Sequence, residues 1–241
     1  MIRFTVNSIG VVVIAFAVLA NFCLSSGTNP RPQTHVAEAD ATRLRLANSV
    51  NLAESSLANK SQPQVLEYLD SLAESGHAPE AVLLAGKLAE KARLSGGSQY
   101  NQIWIDLALR QASAALAAGD YDQVQSLYER MESYDSTFPG SDQKQRLARD
   151  HANLGIVAYM RGMTSANPVV RKMRFEKAAQ LYNQAETERG SNSSIADKLS
   201  LVQDRYALAQ QSGDDQSRGA LREQIKQLRA QMKVNVPTAG E

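Results

Sequence analysis

From Ala41 to Lys233 apolar residues return at intervals of three and four, and no segment alternates as a half-buried strand does. That periodicity commits the chain to an all-α fold. The stops between periodic segments are equally regular. Ser61 and Pro63 break the run after Ala58 and open the next helix, Ser61 as its N-cap and Pro63 as an early helical residue. Ser75-Gly76-His77, Ser95-Gly96-Gly97, Phe138-Pro139-Gly140-Ser141 and Gly213 with the two aspartates after it supply the later breaks. Read together they predict about nine helices, including 41–58, 64–74, 79–94, 142–161, 172–189, 195–211 and 216–233. Each has a narrow apolar stripe in which alanine is prominent, so one hairpin removes little apolar surface from water and must stack on its neighbours. The fourth helix holds the largest anchors, Trp104, Leu107 and Leu116.

Two stretches show how the hairpins mesh. In the first, Leu154-Gly155 and Gly162 are followed by Ala178, Tyr182 and Ala185, with small and large residues one turn apart. In the second, Gly119-Asp120-Tyr121 leads to Val124, Leu127-Tyr128 and Met131, behind Ala108, Ala112 and Ala115. This order resembles the helix-turn-helix unit of tetratricopeptide repeats. His151 stands where that family often has Trp, Ala158 where it has Tyr, and Gly190 where it has Pro. Gly119, Gly162 and Gly213 take equivalent turn positions, 43 and 51 residues apart, where the family repeats at about 34. Eleven residues, Met163 to Met173, stand between the two helices of the first hairpin and predict a protruding loop or an extended helix. The resemblance covers about Ile103 to Met232 and implies an irregular stack of antiparallel helical hairpins, an α-solenoid with a peptide-binding groove.

Residues 1–24 read as an export signal: Arg3, then twelve apolar or glycine residues from Ile9 to Ala20, ending in Val18-Leu19-Ala20. A cleaved signal peptide is favoured. An uncleaved anchor associated with the inner membrane through residues 9–24 is the runner-up, and Leu19-Ala20-Asn21-Phe22-Cys23 resembles a lipobox only loosely. Residues 25–40, with Ser, Gly and Pro and few large apolar residues, read as a linker. The helical domain then covers 41–233, and 234–241 reads as a frayed tail. The expected location is the periplasm or the exterior.

Chemistry is sparse. Formal net charge is +1, from 26 basic and 25 acidic residues, so no overall field draws the chain to nucleic acid. A single cysteine rules out an internal disulfide. His35, His77 and His151 stand at no metal-ligand spacing, and no nucleophile, zinc or phosphate-loop motif occurs, so no metal, cofactor or catalytic residue is expected. His151, on the packed stripe of its helix, reads as a core histidine with a hydrogen-bond partner. Leu221, Ile225, Leu228 and Met232 make the apolar stripe of a last helix that is otherwise basic and caps the stack.

The function expected is an exported, non-catalytic interaction scaffold for another protein or peptide, part of or assisting a secretion, pilus or export machine. Leu107, Gln111, Asn153, Met160, Lys198 and Asp204, on the first helices of the hairpins, are the candidate groove residues, with 163–173 as a second contact. The alternative is an exported helical hydrolase resembling lytic glycosidases, which needs two carboxyl groups facing across a cleft.

Overall fold

A computed structural model describes residues 32–95, 100–190 and 193–234, with side chains from 41 to 232. The described residues form nine helices and no strand: α1 (Pro32–Leu57), α2 (Gln62–Glu74), α3 (Ala78–Ser95), α4 (Gln102–Ala117), α5 (Tyr121–Thr137), α6 (Gln143–Thr164), α7 (Pro168–Arg189), α8 (Ile195–Ser212) and α9 (Asp215–Val234). The expected leader over 1–24, with Cys23, and the tail from 235 onward lie outside the described residues.

Local chemistry places the helix ends. The Ser61 backbone N–H donates to Gln64 Oε1 at 3.0 Å at the start of α2, and Asn101 and Asp120 accept from the Trp104 and Gln123 N–H groups at the starts of α4 and α5. Gly76, Gly119 and Gly213, all at positive φ, turn the chain after α2, α4 and α8.

From α2 onward helices adjacent in sequence pack on one another, α6 on α7 most extensively, followed by α3 on α4, α8 on α9 and α5 on α6. Next-nearest interfaces join α2 to α4, α1 to α3 and, more lightly, α6 to α8. No comparable interface joins helices further apart, so the molecule is a stack in which each layer is supported by the next. One core cluster runs from Val50 of α1 to Leu208 of α8, through Leu84, Ile105, Met131 and Tyr182. A smaller one, Val202, Ala209, Leu221 and Leu228, seats α9 on α8. Trp104 and Leu107 are buried as the sequence predicts, and Leu116 is half-buried.

The α6–α7 interface rests on two glycines. A Cβ at Gly155 would stand 2.6 Å from Tyr182 Cε1, and one at Gly162 would stand 2.6 Å from Phe175 Cε1. The glycines are seven residues apart on α6 and the rings seven apart on α7, so two antiparallel helices bring both pairs into register. Both rings are buried, Tyr182 almost completely.

Two expectations change here, while the insertion takes the extended-helix form of the two that were expected. Gly162 does not close its helix: α6 runs through it to Thr164, because the Phe175 ring packed on the bare backbone offsets the helix cost of glycine. The insertion is therefore a pair of extended helices joined by three residues, with Asn167 accepting from the Val169 N–H at 2.9 Å and Pro168 opening α7. The first helix begins before the expected Ala41: α1 is helical from Pro32, within the stretch read as a linker.

Replacing Gly155 or Gly162 by Ala should destabilise the fold by about 1–3 kcal/mol each through overpacking, lowering Tm by roughly 2–4 °C per kcal/mol for a chain of this size. Gly219→Ala, where an added Cβ meets nothing within 4 Å, should raise stability by about 0.5–1 kcal/mol. Thermal melts followed by circular dichroism test all three; equal effects would contradict the ring-on-glycine packing.

Candidate functional site

Two kinds of feature stand out above the packed alanine and leucine: a buried charged joint where α5, α6 and α7 meet, and two open grooves.

The joint is built on Asp135, in the last turn of α5 and wholly buried. Its spacing continues the apolar stripe of Val124, Tyr128 and Met131, so the helix carries it into the interior. There it accepts from Arg146 Nε at 3.1 Å and Arg149 Nη2 at 2.9 Å, both on α6. Arg146 also donates to the Phe138 carbonyl at 2.7 Å, pairs with Asp142, and lies 4.4 Å over the Tyr100 ring. Tyr100, Trp104, Tyr134 and Phe138 form an aromatic cluster around this corner, with the Asn101 N–H donating to the Tyr134 hydroxyl at 2.7 Å. Asp150, wholly buried, accepts from Arg149 Nε at 2.9 Å through Oδ1, while its Oδ2 has no hydrogen-bond partner. Burial, opposed by Arg149 and assisted by the nearby Asp135 carboxylate, pushes the Asp150 pKa up to about 7.

His151, the next residue, reaches the other way. Its Nδ1 lies 2.7 Å from Glu188 Oε2 on α7 and its Nε2 lies 3.0 Å from Glu132 Oε1 on α5. A neutral imidazole has one N–H and a carboxylate only accepts, so this geometry is that of an imidazolium. Burial opposes that charge, but the hydrogen bonds to Glu188 and Glu132 outweigh it and raise the His151 pKa. The expected core histidine with a partner is there, and it ties α5 to α7 across α6.

The first groove, about 630 Å³, lies between α3 and α5 and is floored by α4. Trp104, Ala108 and Leu127 line it with Leu83, and Lys87 and Arg130 stand among its charges. Gly86 lets the Gln111 side chain of α4 pack against the α3 backbone: a Cβ there would stand 2.7 Å from Gln111 Nε2. The second, about 650 Å³, repeats the arrangement between α7 and α9 over α8, lined by Phe175, Ala179, Leu208 and Leu221 with Arg171 and Arg205.

The structure does not gather the six residues expected to line a groove. Gln111 alone lines one. Leu107 and Met160 are buried, because the alanines around them let neighbouring helices close over the larger side chains. Asn153 donates to the Arg149 carbonyl of its own helix at 2.9 Å. Lys198 and Asp204 are half-buried on α8; burial, tempered by Arg189, raises the Asp204 pKa to about 7. Both grooves open between second helices of successive hairpins rather than across the first helices. Sequence reasoning passed over Asp135, whose signal is a carboxylate on an otherwise apolar stripe, and the arginines that answer it.

The chain matches no protein-family model, and no curated protein matches it in sequence.

Asp135→Asn should cost about 3–5 kcal/mol, since it leaves two inward-facing guanidiniums undercompensated; a loss below 1 kcal/mol in denaturant unfolding would show the joint to be incidental. Two variants separate the pH effects. His151 gains a proton on folding over the interval above the ordinary imidazole value of 6.5, so its contribution is complete below that value and disappears as pH rises through the folded pKa. Asp150 keeps its proton in the folded state from the ordinary carboxyl value of 3.8 up to about 7, so it too makes stability fall with rising pH. Between about pH 6 and pH 8 the parent should lose stability, His151→Gln should be weaker than the parent at the acid end, and Asp150→Asn should be stronger than the parent at the alkaline end. Unfolding midpoints at the two pH values check this.

Proposed function

We propose that the chain is an exported, non-catalytic scaffold that holds other proteins within a cell-envelope assembly of the secretion, pilus or export kind. The observation that carries the reading is the pair of grooves of nearly equal volume, each between two second helices and floored by the first helix between them. An apolar floor with charges at its edge accepts the apolar face of an amphipathic helix or an extended peptide. The tetratricopeptide-like order of Gly155, Ala178 and Tyr182, and of Ala112, Gly119 and Tyr128, points the same way, as does the apolar run of residues 9–20 toward export. Of the carboxyl groups that the fold brings together, Asp135 and Asp150 are sealed from solvent and share Arg149, and Glu132 and Glu188 are both engaged by the ring nitrogens of His151, which suits a joint better than an acid and base acting across a cleft.

A photoreactive residue placed at Leu83 in the first groove or at Asn183 in the second should trap discrete adducts in intact cells, whereas the same residue at Gln145, exposed and outside both grooves, should not. Leu83→Glu should weaken capture about tenfold or more if the groove holds an apolar anchor. Equal labelling from all three positions, or adducts with general chaperones alone, would remove the scaffold reading.

A further inference from the structure

The extension of the α6–α7 hairpin has an unusual surface. From Met163 to Met173 every residue except half-buried Ser165 is exposed. Four are large and apolar: Met163, Val169, Val170 and Met173, with Val169 66% and Met173 63% exposed. Soluble surfaces scatter such residues singly, and a local concentration of them marks an interaction site. On α7 positions 169, 170 and 173 fall on one side of the first two turns. The rest of those turns is cationic, with Arg171, Lys172 and Arg174, and no acidic residue occurs anywhere between Arg161 and Arg174. Arg171 is held by the Ser165 carbonyl rather than by a carboxylate. Lys172 meets Glu176 only at 3.9 Å, with both side chains well exposed.

We propose that this hairpin end is a peripheral membrane contact that sets Val169, Val170 and Met173 into the headgroup and acyl boundary of an anionic bilayer, with Arg171, Lys172 and Arg174 on the lipid phosphates. Shape favours a bilayer over a peptide. Met163, Val169, Val170 and Met173 line neither groove and stand exposed together at the end of the hairpin, which fits a deformable plane, whereas a peptide needs a groove or a free strand edge. Charge favours it too, since an anionic surface attracts basic side chains, and long cationic side chains reach the phosphates while their stems stay in apolar surroundings. Among the described residues no helix is long and apolar enough to cross a membrane, so the contact is interfacial. In the uncleaved form, the runner-up to cleavage, the apolar run from Ile9 to Leu24 adds a second membrane-directed segment, and two such signals hold a protein at a surface far better than one.

The test reads the hairpin end itself, so that lipid binding through residues 9–24 does not mask it. In the full chain with Cys23→Ser, an environment-sensitive fluorophore is attached at Val169→Cys and, as a reference, at Ser126→Cys on α5. Vesicles of phosphatidylglycerol and phosphatidylcholine should shift the Val169 label to the blue and expose it to quenching by spin-labelled lipid, leaving the Ser126 label unchanged. Pure phosphatidylcholine vesicles should produce little shift. Arg171→Glu with Lys172→Glu, exposed positions that also stand at the edge of the second groove, should lower partitioning of the label about tenfold or more in the absence of any protein partner, and Met173→Ser, outside both grooves, should reduce its quenching. An unshifted Val169 label on anionic vesicles would overturn the proposal. So would an equal shift on neutral vesicles, or a shift that requires an added protein in place of lipid.

Discussion

The closeness of α6 and α7 depends on two places where the backbone of α6 has no side chain to hold α7 away. Gly155 and Gly162 offer bare backbone to Tyr182 and Phe175, and the seven-residue spacing on both helices makes one antiparallel alignment satisfy both contacts. A helix interior tolerates glycine at a cost of about 1 kcal/mol against alanine, so two such positions persist only where something larger is gained. Here the gain is the most extensive interface in the molecule and the burial of two aromatic rings. The same contact carries α6 past the glycine that sequence reasoning took for its end, and thereby lengthens the hairpin beyond the stack.

A stack with only near-neighbour interfaces needs its layers fixed relative to one another, and at the middle of this one the fixing is ionic. Asp135, Arg146 and Arg149 join α5 to α6, and His151 joins α6 to both α5 and α7. Such groups are weak contributors to stability when compared with apolar replacements of equal volume, because desolvation consumes most of their attraction. Their directionality is what an alanine-lined interface lacks: alanine lets helices slide, whereas a buried carboxylate on α5 that accepts from two guanidiniums on α6 admits one register. The orphaned oxygen of Asp150 and the doubly engaged imidazole also couple this register to protons.

On either side of the joint the packing opens. Grooves form between α3 and α5 and between α7 and α9, since successive second helices are held apart by the first helix beneath them. The proposed scaffold uses these concave faces for proteins, and the hairpin end between Met163 and Met173 offers an exposed, apolar and cationic surface to lipid. A rigid middle with binding surfaces beside it and a projecting hairpin suits a molecule that holds a partner at a membrane.

The amino-acid sequence by itself determined the helices and most of their ends, because periodicity, capping by Ser61, Asn101 and Asp120 and the turns at Gly76, Gly119 and Gly213 act within a few residues of the chain. It also marked His151 as a packed residue and 163–173 as something beyond the hairpin's needs. Only the tertiary structure decided that Gly162 lies inside a helix, that Leu107 and Met160 are enclosed, that Asp135 meets two arginines, and that the grooves open between second helices. Each of those depends on residues brought together from different helices, as with His151 and Glu188, 37 positions apart. A helical stripe states which face is apolar and leaves unstated which neighbour covers it and how closely.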